Sequence, residues 1–185
     1  MLIKETFRIN APIMKLYRFF LDAQTVGTCI PGCERVEIIS ENEYDSIIKT
    51  KVGIISANFK VRTLIAETVP YTLIRTVGHG KETRNLGQFR QKTEIALKEL
   101  APNETEVLYE ADVTIVGKLA TLGDRILKSK AKTMGAEFVD AVTAKLNAED
   151  PSVVTTIQRN ETAKPAKSEW GQVIKTIINK GSQSS

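Results

Sequence analysis

GKLATLGDRILKSKAKTMGAEFVDAVTAKL, residues 117–146, is the longest stretch of the chain with a helical repeat, and no proline interrupts it. Ala120, Leu127, Ala131, Met134, Phe138 and Val142 recur at three- and four-residue steps, which puts them on one face of a helix. Arg125, Lys128, Lys132, Asp140 and Thr143 fall on the opposite face, as a solvated side should. At roughly 1.5 Å per residue the stretch predicts a rod of about 45 Å. Gly123, Ala131 and Gly135 place very small residues on or beside the apolar face, and Leu119, Leu122 and Ile126 form a second apolar row to one side.

What precedes the rod reads mostly as strand. Residues 1–9 alternate, with Ile3, Phe7 and Ile9 as the apolar members. Asn10 is placed to cap a short helix whose first turn is Ala11-Pro12 and whose stripe is Leu16, Phe19 and Phe20; Asp22 to Cys29 gives a second helical turn. Pro31-Gly32 then makes a tight turn. Strands are expected at Val36–Ser40, Tyr44–Val52, Ile54–Val69, Leu73–Val77 (ending in Gly78-His79-Gly80), Gly87–Leu97 and Thr105–Val116. The last two alternate cleanly, which predicts antiparallel neighbours with one wet face. A run of antiparallel strands with one helix to cover its apolar face is an α+β arrangement. Gly53, Gly78 and Gly80 are the expected bending points of a sheet that must curve around the helix. A sheet wrapped in this way leaves an interior larger than its side chains fill.

With 185 residues, 42% hydrophobic and 26% charged, the chain suits one soluble domain of ordinary size plus an appendage. No window reaches about eighteen apolar residues and no secretory signal is visible, so a cytoplasmic protein is expected. The domain should occupy residues 1–149. Residues 150–168, rich in Thr, Ser, Lys and Asn, read as a flexible linker. Over 169–181, Trp170, Val173, Ile174, Ile177 and Ile178 fall at helical spacing with Lys175 and Lys180 nearby. Such a short amphipathic helix suits a membrane interface, a partner's groove or its own domain. The net charge of +4 comes mostly from the residues beyond Pro151, where Arg159, Lys164, Lys167, Lys175 and Lys180 face only Glu161 and Glu169.

The residues that carry chemistry are few. His79 is the one histidine, so any Ser-His-Asp or Cys-His pair would need it. With Cys29 and Cys33 it falls short of a zinc site, and the cysteine spacing is not that of a redox pair. The cysteines are expected to be small buried packing residues. There is no phosphate-binding glycine loop. Lys49, Lys51, Lys60 and Arg62 lack the exposed aromatics of a stacking platform, which argues against nucleic acid. No catalytic residue, metal or covalently bound cofactor is therefore expected. An interior remains: Phe59, Phe89, Tyr109, Met134 and Phe138 are placed to line it, Gly123, Ala131 and Gly135 to floor it, and Leu119, Leu122 and Ile126 to frame its mouth.

Ala11-Pro12, the run Cys29-Ile30-Pro31-Gly32-Cys33-Glu34, Lys51-Val52-Gly53 and Gly117-Lys118-Leu119-Ala120-Thr121-Leu122-Gly123 resemble the CoxG subunit of carbon monoxide dehydrogenase over roughly residues 1–147. Ile-Pro-Gly-Cys-Glu is the most specific part. The resemblance implies the START-like (SRPBCC) helix-grip fold, a curved antiparallel sheet around a long C-terminal helix. It also implies an accessory protein of a CO dehydrogenase or related molybdenum hydroxylase, peripheral on the inner face of the cell membrane. Such a protein would hold a quinone such as menaquinone for electron transfer. The family supplies no catalytic residue to carry across. Two other functions compete: a cyclase or aromatase of the same superfamily, with His79 or Tyr109 directed inward, and an assembly scaffold whose tail docks on the dehydrogenase.

Overall fold

The alternating stretches form strands whose apolar sides lie on one face of a single sheet, seen in a computed structural model that describes residues 1–149. Strand β1 (Leu2–Ile9) leads through α1 (Ile13–Leu21) and α2 (Ala23–Cys29) to β2 (Cys33–Ser40). Then come β3 (Glu43–Val52), β4 (Ile55–Val69), β5 (Leu73–Glu82), β6 (Gln88–Ala101) and β7 (Glu104–Val116). A 3-10 turn at Lys118–Leu122 precedes α3 (Asp124–Glu149). The sheet is antiparallel throughout, in the order β1-β7-β6-β5-β4-β3-β2. Tight connections join β2 through β7, while the segment bearing α1 and α2 crosses from one edge to the other. The curved sheet grips α3 as expected. The linker at 150–168 and the tail helix at 169–181, with Trp170, Val173, Ile174, Lys175, Ile177, Ile178 and Lys180, lie outside the described residues.

Several local expectations are corrected. Pro12, not Asn10, is the N-cap of α1. A proline has no N–H to leave unsatisfied, and its fixed φ suits a helix entrance. Asp22 caps α2 instead, its carboxylate accepting from the N–H groups of Gln24 and Thr25. Strand β5 does not end before Gly78-His79-Gly80 but runs through it to Glu82. Gly78 and Gly80 sit mid-strand because their cross-strand neighbours Gln91 and Phe89 lay side chains where a Cβ would be. The sharp turns fall at Gly53 and Gly87. Cys29 is buried, but Cys33 is only half-buried, and neither is part of a disulfide.

The largest correction concerns the rod. Gly117 (φ 88°) and Gly123 (φ 84°) adopt left-handed backbone, so the regular helix starts at Asp124 and spans 26 residues. The 3-10 turn between the two glycines drives Leu119 into the sheet, where its N–H donates to the carbonyl of Leu86. Ala120, assigned to the buried face, is exposed. Thr143, assigned to the wet face, is buried with its hydroxyl donating to the Val139 carbonyl, so the helix turns its threonine side inward near its end.

Two hydrophobic clusters lie between sheet and helices, and a third, small one (Leu73, Ala96 and Leu108) lies on the sheet's other face. Of the first two, one gathers Phe7 and Ile9 of β1, Leu16 and Phe20 of α1, and Val139, Val142 and Leu146 of α3. Each such burial contributes about 1.5–3 kcal/mol. The other joins Ala57, Phe59, Val61 and Leu119, with Phe59 and Phe89 edge to face at 5.2 Å. The C-terminal half of α3 is therefore clamped, and Lys145 Nζ also donates to Thr28 Oγ1 of α2 at 2.8 Å. Leu127, Ala131, Met134 and Phe138, in its N-terminal half, are only half-buried.

Two carboxylates tie the sheet's periphery. Arg62 binds both oxygens of Asp45 (2.8 and 3.0 Å), and the guanidinium holds the Asp45 carboxyl below its ordinary value against the opposing effect of burial. Glu82 is fully buried. Burial pushes its pKa up, but the backbone N–H groups of Leu86, Asn58 and Arg84, together with the Arg84 side chain, outweigh that and leave it lowered. A lowered folded pKa means stability that is complete above the unfolded values, 3.8 for Asp45 and 4.5 for Glu82, and lost as pH falls through the folded ones. Thermal midpoints should stay level from about pH 7 to 5 and fall below about pH 4. Asp45→Asn and Glu82→Gln should each lower the midpoint at neutral pH and make the acid decline shallower. A decline as steep in both variants as in the parent would remove these groups from the account.

Candidate functional site

Between the two clusters the sheet and α3 do not meet, and a cavity of about 310 Å³ remains. The volume lies at the lower end of the range usual for small-molecule sites, about 300–1,000 Å³. Every strand from β3 to β7 contributes to its wall, as does β1, and Leu127, Lys130, Ala131, Met134, Gly135 and Phe138 form its helical side. The cavity reaches the surface around the first half of α3, where its half-exposed lining residues stand opposite half-exposed Ile30, Pro31 and Thr50 on one side and Ile3 and Val113 on the other. One contact bridges it: Thr50 Oγ1 of β3 sits 3.9 Å from Met134 Sδ.

Of the residues singled out from sequence, Phe59, Phe89, Tyr109, Leu119, Ala131, Met134, Gly135 and Phe138 come together on this cavity. Leu122, Gly123 and Ile126 do not line it. Leu122 packs on the cluster around Leu119, Gly123 only supplies the turn into α3, and Ile126 is exposed beside Gly53, its Cγ2 3.7 Å from where a Cβ on that glycine would stand. The gate expected from the second apolar row is thus displaced: Leu119 is floor rather than frame. A Cβ at Gly135 would meet the Glu5 side chain of β1 only at ordinary contact distance, 3.8 Å, so the glycine adds volume rather than a close approach.

The lining also contains a polar belt that sequence periodicity alone does not single out. Tyr44 and Thr63 are paired across β3 and β4, Thr76 and Thr93 across β5 and β6, and Gln91 and Glu5 complete the belt. These residues keep the strand phase of their apolar neighbours, with Thr63 two positions beyond Val61 and Thr93 two before Ile95. That phase is the signal by which they could be found. Thr93 is 7% exposed, and its Oγ1 makes no well-formed hydrogen bond within the protein. Burial raises the pKa of the neighbouring Tyr109 phenol, a weak hydrogen bond with Thr93 lowers it, and the nearby Glu5 charge raises it further. The outcome is a raised pKa, so Tyr109 stays neutral and can donate or accept. Burial likewise pushes Tyr44 up, against Thr63, which lowers it.

His79 is exposed, its Nε2 3.2 Å from Gln88 Oε1, on the face of β5 away from the cavity. Among the described residues no three His, Cys, Asp or Glu side chains gather as a metal site would require. No helix there is long and apolar enough to cross a membrane. The arrangement can enclose an apolar molecule and offer hydrogen bonds to one polar part of it.

The family model for the CoxG subunit of carbon monoxide dehydrogenase matches residues 6–147. No curated protein matches. Among solved structures, a conserved protein from Geobacillus kaustophilus is similar at a TM-score of 0.72 and 16% identity, covering 84% of this chain and 99% of that one. A START superfamily protein from Mycobacterium smegmatis follows at 0.63 and 13%, covering 80% and 98%. The Zhui aromatase/cyclase from Streptomyces sp. R1128 aligns at 0.60 and 12%, covering 78% and 92%. At such identities these structures establish the shared START-like fold alone.

Proposed function

Because the chain belongs to the CoxG family of carbon monoxide dehydrogenase subunits, we propose that it is a non-catalytic accessory protein holding a lipophilic quinone, menaquinone being one candidate. In this role it links a CO dehydrogenase-type molybdenum hydroxylase to the membrane respiratory chain, working at the inner membrane face, with residues 169–181 as an attachment to membrane or enzyme. The observation that carries the ligand is the cavity's composition. Its wall is aromatic and aliphatic, yet the buried Thr93 hydroxyl makes no well-formed hydrogen bond and has only the Tyr109 phenol beside it. A poorly paired buried hydroxyl is costly unless something arrives to bond it. A quinone carbonyl is such an acceptor on an otherwise apolar body. A cavity of about 310 Å³ takes a ring system and little more, so a long isoprenoid chain would extend through the opening.

Lipid extraction of the purified protein followed by mass spectrometry should find a quinone. Thr93→Val should weaken its binding by roughly 2- to 10-fold, the value of one neutral hydrogen bond, while leaving the thermal midpoint unchanged or higher. Undiminished affinity in that variant would remove Thr93 from the ligand's headgroup site. No apolar ligand under any condition would overturn the reading itself.

A second reading, a cyclase or aromatase, draws on Tyr109, a buried phenol in the cavity wall. Turnover of an aromatic or polyketide substrate that is lost in Tyr109→Phe would establish it. His79, on the outer face, offers that reading nothing.

A further inference from the structure

The connections of an antiparallel sheet alternate between its two ends, and here the ends differ in charge. One end carries the β3–β4 turn, the β5–β6 connection, the close of β7 and the start of α3. Its bases include Lys51, Lys81, Lys118, Arg125, Lys128 and Lys130, while among the described residues of these segments the exposed carboxylate is Asp124, paired with Lys128. The other end carries Glu41, Glu43, Glu67, Glu99, Glu104 and Glu106, of which Glu43, Glu67, Glu104 and Glu106 pair with Arg62, Arg75 and Arg8. At the extreme of the basic end, Ile54 projects from the β3–β4 turn at 92% exposure, and Ile126 stands beside the same turn at 40%. A lone exposed aliphatic is ordinary, but Ile54 and Ile126 stand together at this tip, ringed by bases. Leu127, the residue after Ile126, already lines the cavity.

We propose that this end of the domain is itself a membrane-docking tip. Ile54 and Ile126 enter the headgroup layer of an anionic bilayer, Lys51, Lys118, Arg125 and Lys130 bind its lipid headgroups, and the cavity opening is thereby turned toward lipid. Apolar residues ringed by lysine and arginine are the pattern of interfacial insertion, and each base near an anionic surface adds to the attraction. An acidic protein surface would match the charge. It would also have to supply a fitted pocket for a lone protruding isoleucine, whereas fluid lipid accommodates one without a preformed site. The contact is a property of the domain rather than of the tail, and it does not require that the cavity hold a quinone.

The test uses the full chain with Cys33→Ser, carrying an NBD fluorophore on Ile54→Cys or, as control, on His79→Cys of the outer face. With vesicles of phosphatidylcholine and phosphatidylglycerol (7:3), the probe at position 54 should shift to the blue and be quenched by brominated lipid, and the control should not respond. Lys51→Glu with Lys118→Glu should reduce co-sedimentation with these vesicles by about tenfold, as should 0.5 M salt. A probe at position 54 that stays in water while the protein sediments would overturn the proposal in favour of the tail. So would vesicle binding unchanged in Ile54→Asp alongside lost dehydrogenase binding, which would name an acidic protein partner instead. Neither result bears on whether quinone is found in the cavity.

Discussion

Ala131→Phe should leave the protein folded and empty. Ala131 lies on the cavity side of α3, half-buried, one turn before Met134 and Gly135. A benzyl group added there projects into a space of about 310 Å³ and takes a large share of it. The helix loses at most about 0.7 kcal/mol in propensity. Burial of the ring against Phe59 and Phe89 would return about 1.5–3 kcal/mol. The thermal midpoint should therefore hold or rise by a few degrees, while retained quinone falls by on the order of 100-fold, because a ligand that must share a filled cavity loses both contacts and room. Mass spectrometric quantification of extracted quinone, alongside a melting curve, reads both. A variant with normal stability and normal quinone content would mean that the ligand sits elsewhere.

Gly32→Val should do the reverse and remove the fold. Gly32 adopts φ 77°, and a Cβ there would stand 1.9 Å from the carbonyl oxygen of Lys49. That oxygen cannot retreat: Lys49 belongs to β3, is paired with Asn58 of β4, and returns its own N–H to the Gly32 carbonyl at 2.8 Å. Left-handed backbone alone costs a side-chain-bearing residue about 1–2 kcal/mol. A collision with fixed backbone brings the total to about 4–5 kcal/mol or more, comparable to the whole stability of many domains. Insoluble protein, or a denaturation midpoint lowered by well over about 10 °C, is expected. Gly123→Ala separates the two causes, since Gly123 shares the positive φ but has nothing within 4 Å of its missing Cβ. It should cost only about 1–2 kcal/mol. Equal losses in the two variants would show that the Lys49 contact is unimportant.

Gly32 also explains why Ile-Pro-Gly-Cys-Glu is so specific a signature. The segment does no chemistry; it turns the chain from α2 into the edge strand with the backbone of β3 pressed against it. Sequence periodicity recovers the strands well because each needs only its own alternation to be recognised. It recovers the wall residues Phe59, Phe89 and Tyr109 for the same reason. It fails where the outcome depends on a neighbour. Gly78 and Gly80 look like a strand end because the side chains of Gln91 and Phe89, which fill their places, lie on another strand. Leu119, Leu122 and Ile126 look like one row when the repeat of α3 is carried back across Gly123, whose left-handed backbone breaks it. Thr93 looks like an ordinary strand residue, and only the packed structure shows that its hydroxyl has been left without a well-formed hydrogen bond.

The unequal seating of α3 has a mechanical consequence. Held at Val139, Val142, Leu146 and Lys145, and resting on the sheet farther back mainly through Met134 against Thr50, the helix is a cantilever with its fixed end in the larger core. A guest entering beneath the free end need lift only that end, bending toward the clamped segment 139–146 while Gly117 and Gly123 let the preceding chain follow. The load falls on a thioether contact, and the main hydrophobic cluster stays closed while the door beside it opens.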